Sequence, residues 1–146
     1  MKRRESNLGP GLERRNSPIH GRGCFATTRF RKRRTIAEYS GERITNAEAR
    51  RRAAGRRVLR ICGLDDRWSI DGARGGNATQ YINHSCRPNA YLQTYGSHLL
   101  VMALRDIRAG EEITVDYVDT YHPDTKPCTC GVRGCRGTIN LVMRKR

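Results

Sequence analysis

The chain of 146 residues has no long hydrophobic run and is short of acidic residues. Nothing in it approaches the roughly 18 consecutive apolar residues of a membrane-spanning helix, and the basic start MKRRESNLGP is not followed by the apolar segment of a secretory signal. An intracellular, soluble protein with no membrane partner is expected, cytoplasmic in a bacterium and nuclear in a eukaryote. Asp and Glu number 14 against 29 Lys and Arg, a net charge of +15. Polyanions are therefore expected partners, with nucleic acid as an electrostatic contact, although a solvated arginine-rich surface accounts for the same charge. Internal repeats and low-complexity blocks are also missing, so the chain reads as one domain with one core.

What is present is turn chemistry. A hydrophobic content of 36% with 15 glycines and 5 prolines indicates many short elements, a mainly β class. Residues 1–11 are charged and closed by Gly9, Pro10 and Gly11, which reads as a flexible basic leader, with structure beginning near Leu12. Short strands are expected at Cys24 to Ala26, Thr35 to Tyr39, Trp68 to Ile70, His98 to Leu104 and Glu112 to Val118. Thr45 with Glu48 three residues on predicts the start of the one main helix, running through an alanine- and arginine-rich stretch to Arg60 despite Gly55.

Three of the six cysteines crowd into CTCGVRGCRG as Cys128, Cys130 and Cys135, with Gly131 and Gly134 able to turn three thiolates onto one ion. That spacing suits a structural zinc site in a reducing compartment better than disulfides. A closed tetrahedral site needs a fourth ligand, and Cys86 is chosen over Cys24 and Cys62, which read as ordinary buried thiols. Arg133 and Arg136 are expected to offset the negative charge of four thiolates. A redox switch or free thiols are the alternatives.

Four separated motifs then converge: GRGCFA from Gly21, YSGE from Tyr39, YINHSCRPNA from Tyr81, and EEITVDY ending at Tyr117. Together with the linking segments they resemble the SET domain, and the cysteine tail resembles that family's post-SET zinc segment. The likeness spans roughly Ser17 to Thr138. It implies a β-clip fold of several small sheets with a pseudoknot formed by the NHSC segment and the EEITVDY strand, and a division into a SET domain at 12–121 and a zinc segment with basic tail at 122–146. It also implies a protein-lysine N-methyltransferase using S-adenosylmethionine, acting on a lysine of a histone or other basic protein. By that resemblance Gly21, Arg22, Gly23, Cys24, Asn83, His84 and Tyr117 contact the cofactor, Tyr117 and Tyr39 line the lysine channel as catalytic residues, and Cys86 is the fourth zinc ligand.

The chemistry asks for little more. An amine must be held neutral and in line with a methyl group; an aromatic, apolar channel disfavours its ammonium form, and no dedicated general base is evident, His84 included. Glu112 and Asp116 read as fold or surface carboxylates, while Asp119 and Asp124 are candidates for an acidic substrate path. Val115 stands where some family members carry an aromatic residue that restricts the number of methyl groups, and the sequence leaves that number open. A cysteine-rich segment ahead of the catalytic domain is not seen, and a chain of +15 is an awkward partner for a lysine-rich tail. The rival expectation is a non-catalytic, zinc-stabilised module of the same fold that binds nucleic acid or chromatin.

Overall fold

A computed structural model describes residues 10–56, 58, 60–117 and 126–139. Residues 1–9 of the expected 1–11 leader, the 121/122 boundary, Asp119, Asp124 and the basic tail beyond 139 lie outside the described residues. Among the described residues, ten short strands form three small sheets. The first joins β1 (Leu12–Asn16), β2 (Arg22–Ala26), β10 (Glu112–Val115) and β7 (Asn83–His84) in the order β1-β2-β10-β7. The second orders β3 (Thr35–Glu38), β9 (His98–Ala103) and β8 (Ala90–Tyr95) as β3-β9-β8, and the third orders β4 (Glu42–Thr45), β6 (Trp68–Asp71) and β5 (Ile61–Gly63) as β4-β6-β5.

The expected mainly β class with one main helix is what the structure shows. Strands β1, β4, β5, β7 and β8 escaped the sequence reading, because the first four are only two to five residues long with at most two apolar positions, and β8 (AYLQTY) shows no strict alternation. Helix α1 (Asn46–Ala54) starts as expected: Thr45 Oγ1 accepts the Glu48 N–H at 3.2 Å. It stops well short of Arg60, however. Ala49 and Ala53 are its buried residues, so it has a narrow apolar face, and the Gly55 and Arg56 N–H groups close shorter bonds to Arg52 and Ala53 that end the α-helix.

Arg52 and Arg56 both turn to Asp71 at the end of β6, with nitrogen–oxygen distances of 3.0 and 2.9 Å, and Arg52 also reaches Glu42 and Glu48. The Asp71 side chain is fully buried, which pushes its carboxyl up. The hydrogen bonds from Arg56 and Arg52 and from the Ala73 N–H outweigh that cost and hold it below its ordinary value of 3.8.

Between the sheets lies one core in which Cys24, Ala26, Val101, Ala103, Ile107 and Ile113 are wholly buried. Strands β7 and β10 run parallel, pairing Asn83 with Thr114 and His84 with Val115. The hairpin β8–β9 falls within the intervening chain, which gives the expected pseudoknot-like crossing. Buried Asn89 secures it: its Oδ1 accepts the Thr114 N–H at 2.9 Å, its amide donates to the Glu112 carbonyl at 2.8 Å, and its own N–H meets Thr114 Oγ1 at 3.3 Å.

Replacing Asp71 by Asn leaves two arginines facing a neutral group in the interior. Chemical denaturation is expected to show a loss of about 3 kcal/mol, the lower end for breaking a buried pair. Because the folded carboxyl titrates below its unfolded counterpart, its contribution is complete above pH 3.8 and fades as the pH falls towards the lowered folded value. The variant should therefore lose less stability than the parent on acidification below about pH 4.

Candidate functional site

Where the three sheets meet, a groove of about 460 Å³ is lined by Tyr39, Ile82, Leu99, Leu104, Val115 and Tyr117, with Cys62 and Asp116 also on its wall. Tyr39 follows β3 and is nearly buried, its N–H donating to Leu99 O at 2.7 Å and its hydroxyl to Arg60 O at 2.8 Å. Tyr117 lies two residues beyond β10, half-buried, with its hydroxyl donating to Ile82 O. Both phenol hydrogens are thus committed to backbone carbonyls. The oxygens can face the groove only as acceptors. Burial pushes both phenols above their ordinary range, so each stays neutral at physiological pH. Tyr39 and Tyr117, far apart in sequence, both line this groove.

The other expected residues sit behind Tyr117. Asn83 turns its amide nitrogen towards the carbonyls of His20 and Arg22, at 3.0 and 3.1 Å, and Glu112 Oε2 at 2.9 Å. It fixes the shape of the glycine loop. Ser17, which the sequence reading passed over, donates to both Glu112 oxygens at 2.7 and 2.9 Å, so Glu112 is the knot of this loop rather than a bystander. Gly23 is required by the same packing, since a Cβ there would lie 2.5 Å from Glu112 Oε2. Gly21 has a φ of +45° and open space where a Cβ would project. Gly21 and Arg22 are exposed, whereas Cys24 is wholly buried on a strand flanked by β1 and β10. Its thiol is pushed up to about 12 by burial and then by Glu112, and it belongs to the core.

His84 is buried, and both ring nitrogens are engaged within the protein. Nδ1 accepts the Tyr117 N–H at 3.0 Å, and Nε2 lies 3.4 Å from Cys86 Sγ. Burial lowers its pKa, Asp116 opposes and Arg136 adds to the depression, so the ring is neutral. An accepting Nδ1 places the hydrogen on Nε2, aimed at sulfur. One imidazole thereby ties the backbone of Tyr117 to the cysteine cluster.

That cluster is formed by Cys86, Cys128, Cys130 and Cys135, whose sulfurs all lie within 4.8 Å of one another. Cys86 Sγ is 3.8 Å from both Cys128 Sγ and Cys135 Sγ. A tetrahedron with zinc–sulfur bonds of about 2.3 Å has edges of about 3.8 Å, whereas a disulfide needs about 2.05 Å. Backbone N–H groups of Cys130, Arg136 and Gly137 point at the sulfurs of Cys128, Cys86 and Cys135 from 3.4 to 3.5 Å. The donor set fits one tetrahedral, thiophilic ion such as zinc. The Arg136 guanidinium forms a bidentate pair with Asp116 at 2.8 Å, its charge also interacts favourably with Cys86 and Cys128, and its N–H points at Cys86, whereas Arg133 is exposed.

Elemental analysis is expected to find one zinc per chain, absent from Cys86→Ser and retained in Cys62→Ser. Because binding of the ion is linked to folding, Cys86→Ser should lower the melting midpoint by at least about 5 °C. Zinc retained in Cys86→Ser would refute the assignment.

The sequence pattern of the SET domain matches residues 21–118, which takes in the glycine loop, both groove tyrosines and the β7–β10 crossing. Among curated relatives, the chain is 36% identical over 132 residues to the histone-lysine N-methyltransferase trithorax of Drosophila virilis and 38% identical over 133 residues to the histone-lysine N-methyltransferase set-2 of Caenorhabditis elegans. It is 35% identical over 136 residues to a histone-lysine N-methyltransferase, H3 lysine-4 specific, of Neurospora crassa. Each alignment takes in 85% of this chain but only 3%, 9% and 10% of the respective relative, so the chain corresponds to a small part of those proteins. With the match covering most of its length, the chain belongs to the SET domain family.

Proposed function

We propose that this chain is a protein-lysine N-methyltransferase that takes its methyl group from S-adenosylmethionine. The observation that carries the reading is the pair of neutral tyrosines, Tyr39 and Tyr117, that line one apolar groove with their hydroxyl hydrogens bound to Arg60 O and Ile82 O. The names of the relatives support it, each being a histone-lysine N-methyltransferase.

The reaction asks the protein to present a lysine amine, neutral and in line. Ile82, Leu99 and Val115 give the groove an apolar wall that disfavours an ammonium. Tyr117 and Tyr39 accept hydrogen bonds from the amine and aim its lone pair, and their raised pKa values keep them from acting as bases. Positioning and desolvation are then the catalytic contributions. S-adenosylmethionine supplies an electrophilic methyl carbon on a sulfonium. The residues that would hold it are Gly21, Arg22, Gly23, Asn83, His84 and Tyr117, with Cys24 contributing at most its backbone. What supports a ligand there is the open space beside Gly21 in a loop whose carbonyls are pinned by Asn83.

Zinc in the four-cysteine site has a structural part. Cys86 and His84 carry its effect to the Tyr117 backbone, so an emptied site would loosen the groove wall. The substrate we assign is a lysine of a histone or another basic protein, with a nuclear address in a eukaryotic source. The SET portion is taken as residues 12–121 and the zinc segment as 122–146.

Labelled S-adenosylmethionine offered with histones should transfer its methyl group to lysine. Tyr117→Phe removes an acceptor used in the transition state and should cut kcat at least about 100-fold while changing cofactor affinity less than about threefold. Equal turnover in the variant, or failure of the zinc-loaded parent to bind the cofactor, would overturn the reading. Parent activity should rise with pH until the bound amine is deprotonated.

A further inference from the structure

The cations are not spread evenly over this molecule. Around α1 and the third sheet, the arginines face five carboxylates, those of Glu42, Glu48, Asp65, Asp66 and Asp71, and Arg51, Arg52, Arg56 and Arg74 all lie in ion pairs. A second surface is built otherwise. The β2–β3 loop carries Arg29, Arg31, Lys32, Arg33 and Arg34 without an acid, and the β9–β10 loop adds Arg105 and Arg108 with Asp106 and Glu111. All seven cations are exposed. Among the described residues, no carboxylate forms an ion pair with Arg31, Lys32, Arg33, Arg34 or Arg108.

These two loops form one firm surface. Phe30 and Ile107 exchange backbone hydrogen bonds of 2.9 and 2.8 Å, Arg33 N–H reaches Ala103 O at 2.7 Å, and Ala103 N–H reaches Arg34 O at 2.9 Å. Asp106 accepts the Lys32 N–H at 2.8 Å and pairs with Arg29 at 3.1 Å, so one of the two acids is a brace for the loop. Arg29, Arg105, Asp106, Arg108 and Glu111 line a hollow there. Arg33 occupies a left-handed backbone conformation, φ 69°, at the turn that fans the four consecutive cations outwards.

We propose that this face binds the phosphate backbone of double-helical nucleic acid by charge, without reading sequence. The partner follows from what the face offers. Five cations in no ion pair among the described residues, with Asp106 and Glu111 acting on Arg31 and Arg108 only at longer range, match a row of phosphates on a braced, partly concave surface. Single strands are bound through exposed aromatic platforms, and the one aromatic here, Phe30, is half-buried against the core. Neither loop presents a helix or ribbon to a groove, so base edges are not read. Leu104 lines the tyrosine groove and Arg105 lines the basic hollow, so the two surfaces adjoin.

The test is fluorescence anisotropy with a short random-sequence DNA duplex and the zinc-loaded full chain. It reads binding without any methyl transfer, so it can fail or succeed independently of the activity. With five phosphates neutralised, the logarithm of affinity should fall against the logarithm of salt with a slope of about −4.5. Arg31→Gln, Lys32→Gln and Arg34→Gln combined with Arg33→Asn, which tolerates the positive φ, should weaken binding at least about tenfold at low salt and flatten the slope towards about −1. Removing an equal charge on the helix side, through Arg43→Gln, Arg50→Gln, Arg51→Gln and Arg67→Gln, should change affinity less than about threefold, with melting curves confirming that both variants are folded. Equal losses in the two variants, no binding by the parent, or an oligo-dT strand competing as well as the duplex would each overturn the proposal.

Discussion

Thr114 lies beside Asn83 and Val115 beside His84, a parallel ladder only two residues long between segments about thirty residues apart. A parallel pair cannot be closed by a tight turn, so the chain must leave, build the β8–β9 hairpin and return. Nothing so short is stable by its own hydrogen bonds. Buried Asn89 holds it by occupying the Thr114 N–H and the Glu112 carbonyl, groups that would otherwise be unpaired in the interior. Asn83 and Glu112 at one end of this crossing shape the glycine loop, and His84 and Tyr117 at the other end shape the groove wall.

The same crossing also connects the groove to the cysteine cluster. Cys86 is two residues past β7 and gathers with the three cysteines of the C-terminal segment. His84 touches both Cys86 and the Tyr117 N–H, and Arg136 gives its N–H to Cys86 while its guanidinium holds Asp116 at the groove. Two independent connections therefore join the thiol cluster to residues 116 and 117. The division of labour is clear: thiols organise the tail, and neutral phenols organise the groove.

Much of this was legible without coordinates, for identifiable reasons. The cysteine set could be chosen because three thiols at C-x-C-x4-C leave a tetrahedral ion one ligand short. The helix start was legible because capping is local, resting on Thr45 and Glu48 alone. The helix end was not, because the reading carried the helix past Gly55, where the backbone closes shorter bonds and the apolar face has run out. Ser17, Asn89 and the brace role of Asp106 were missed for a different reason: each acts on a partner 23 or more residues away, and a polar residue in a loop carries no sign of which backbone group it will satisfy.

By itself the sequence determined the class, the short turn-separated elements, the four cysteines of the cluster and the four motifs, since these depend on residue type and local spacing. Only the tertiary structure decided that both phenol hydrogens are spent on backbone carbonyls, that Cys24 is core, that the Arg136 N–H points at sulfur, and that the cations of the β2–β3 and β9–β10 loops share one face. Each of those is a contact between segments distant along the chain, and such contacts exist only once the core has closed around Ile107 and Ile113.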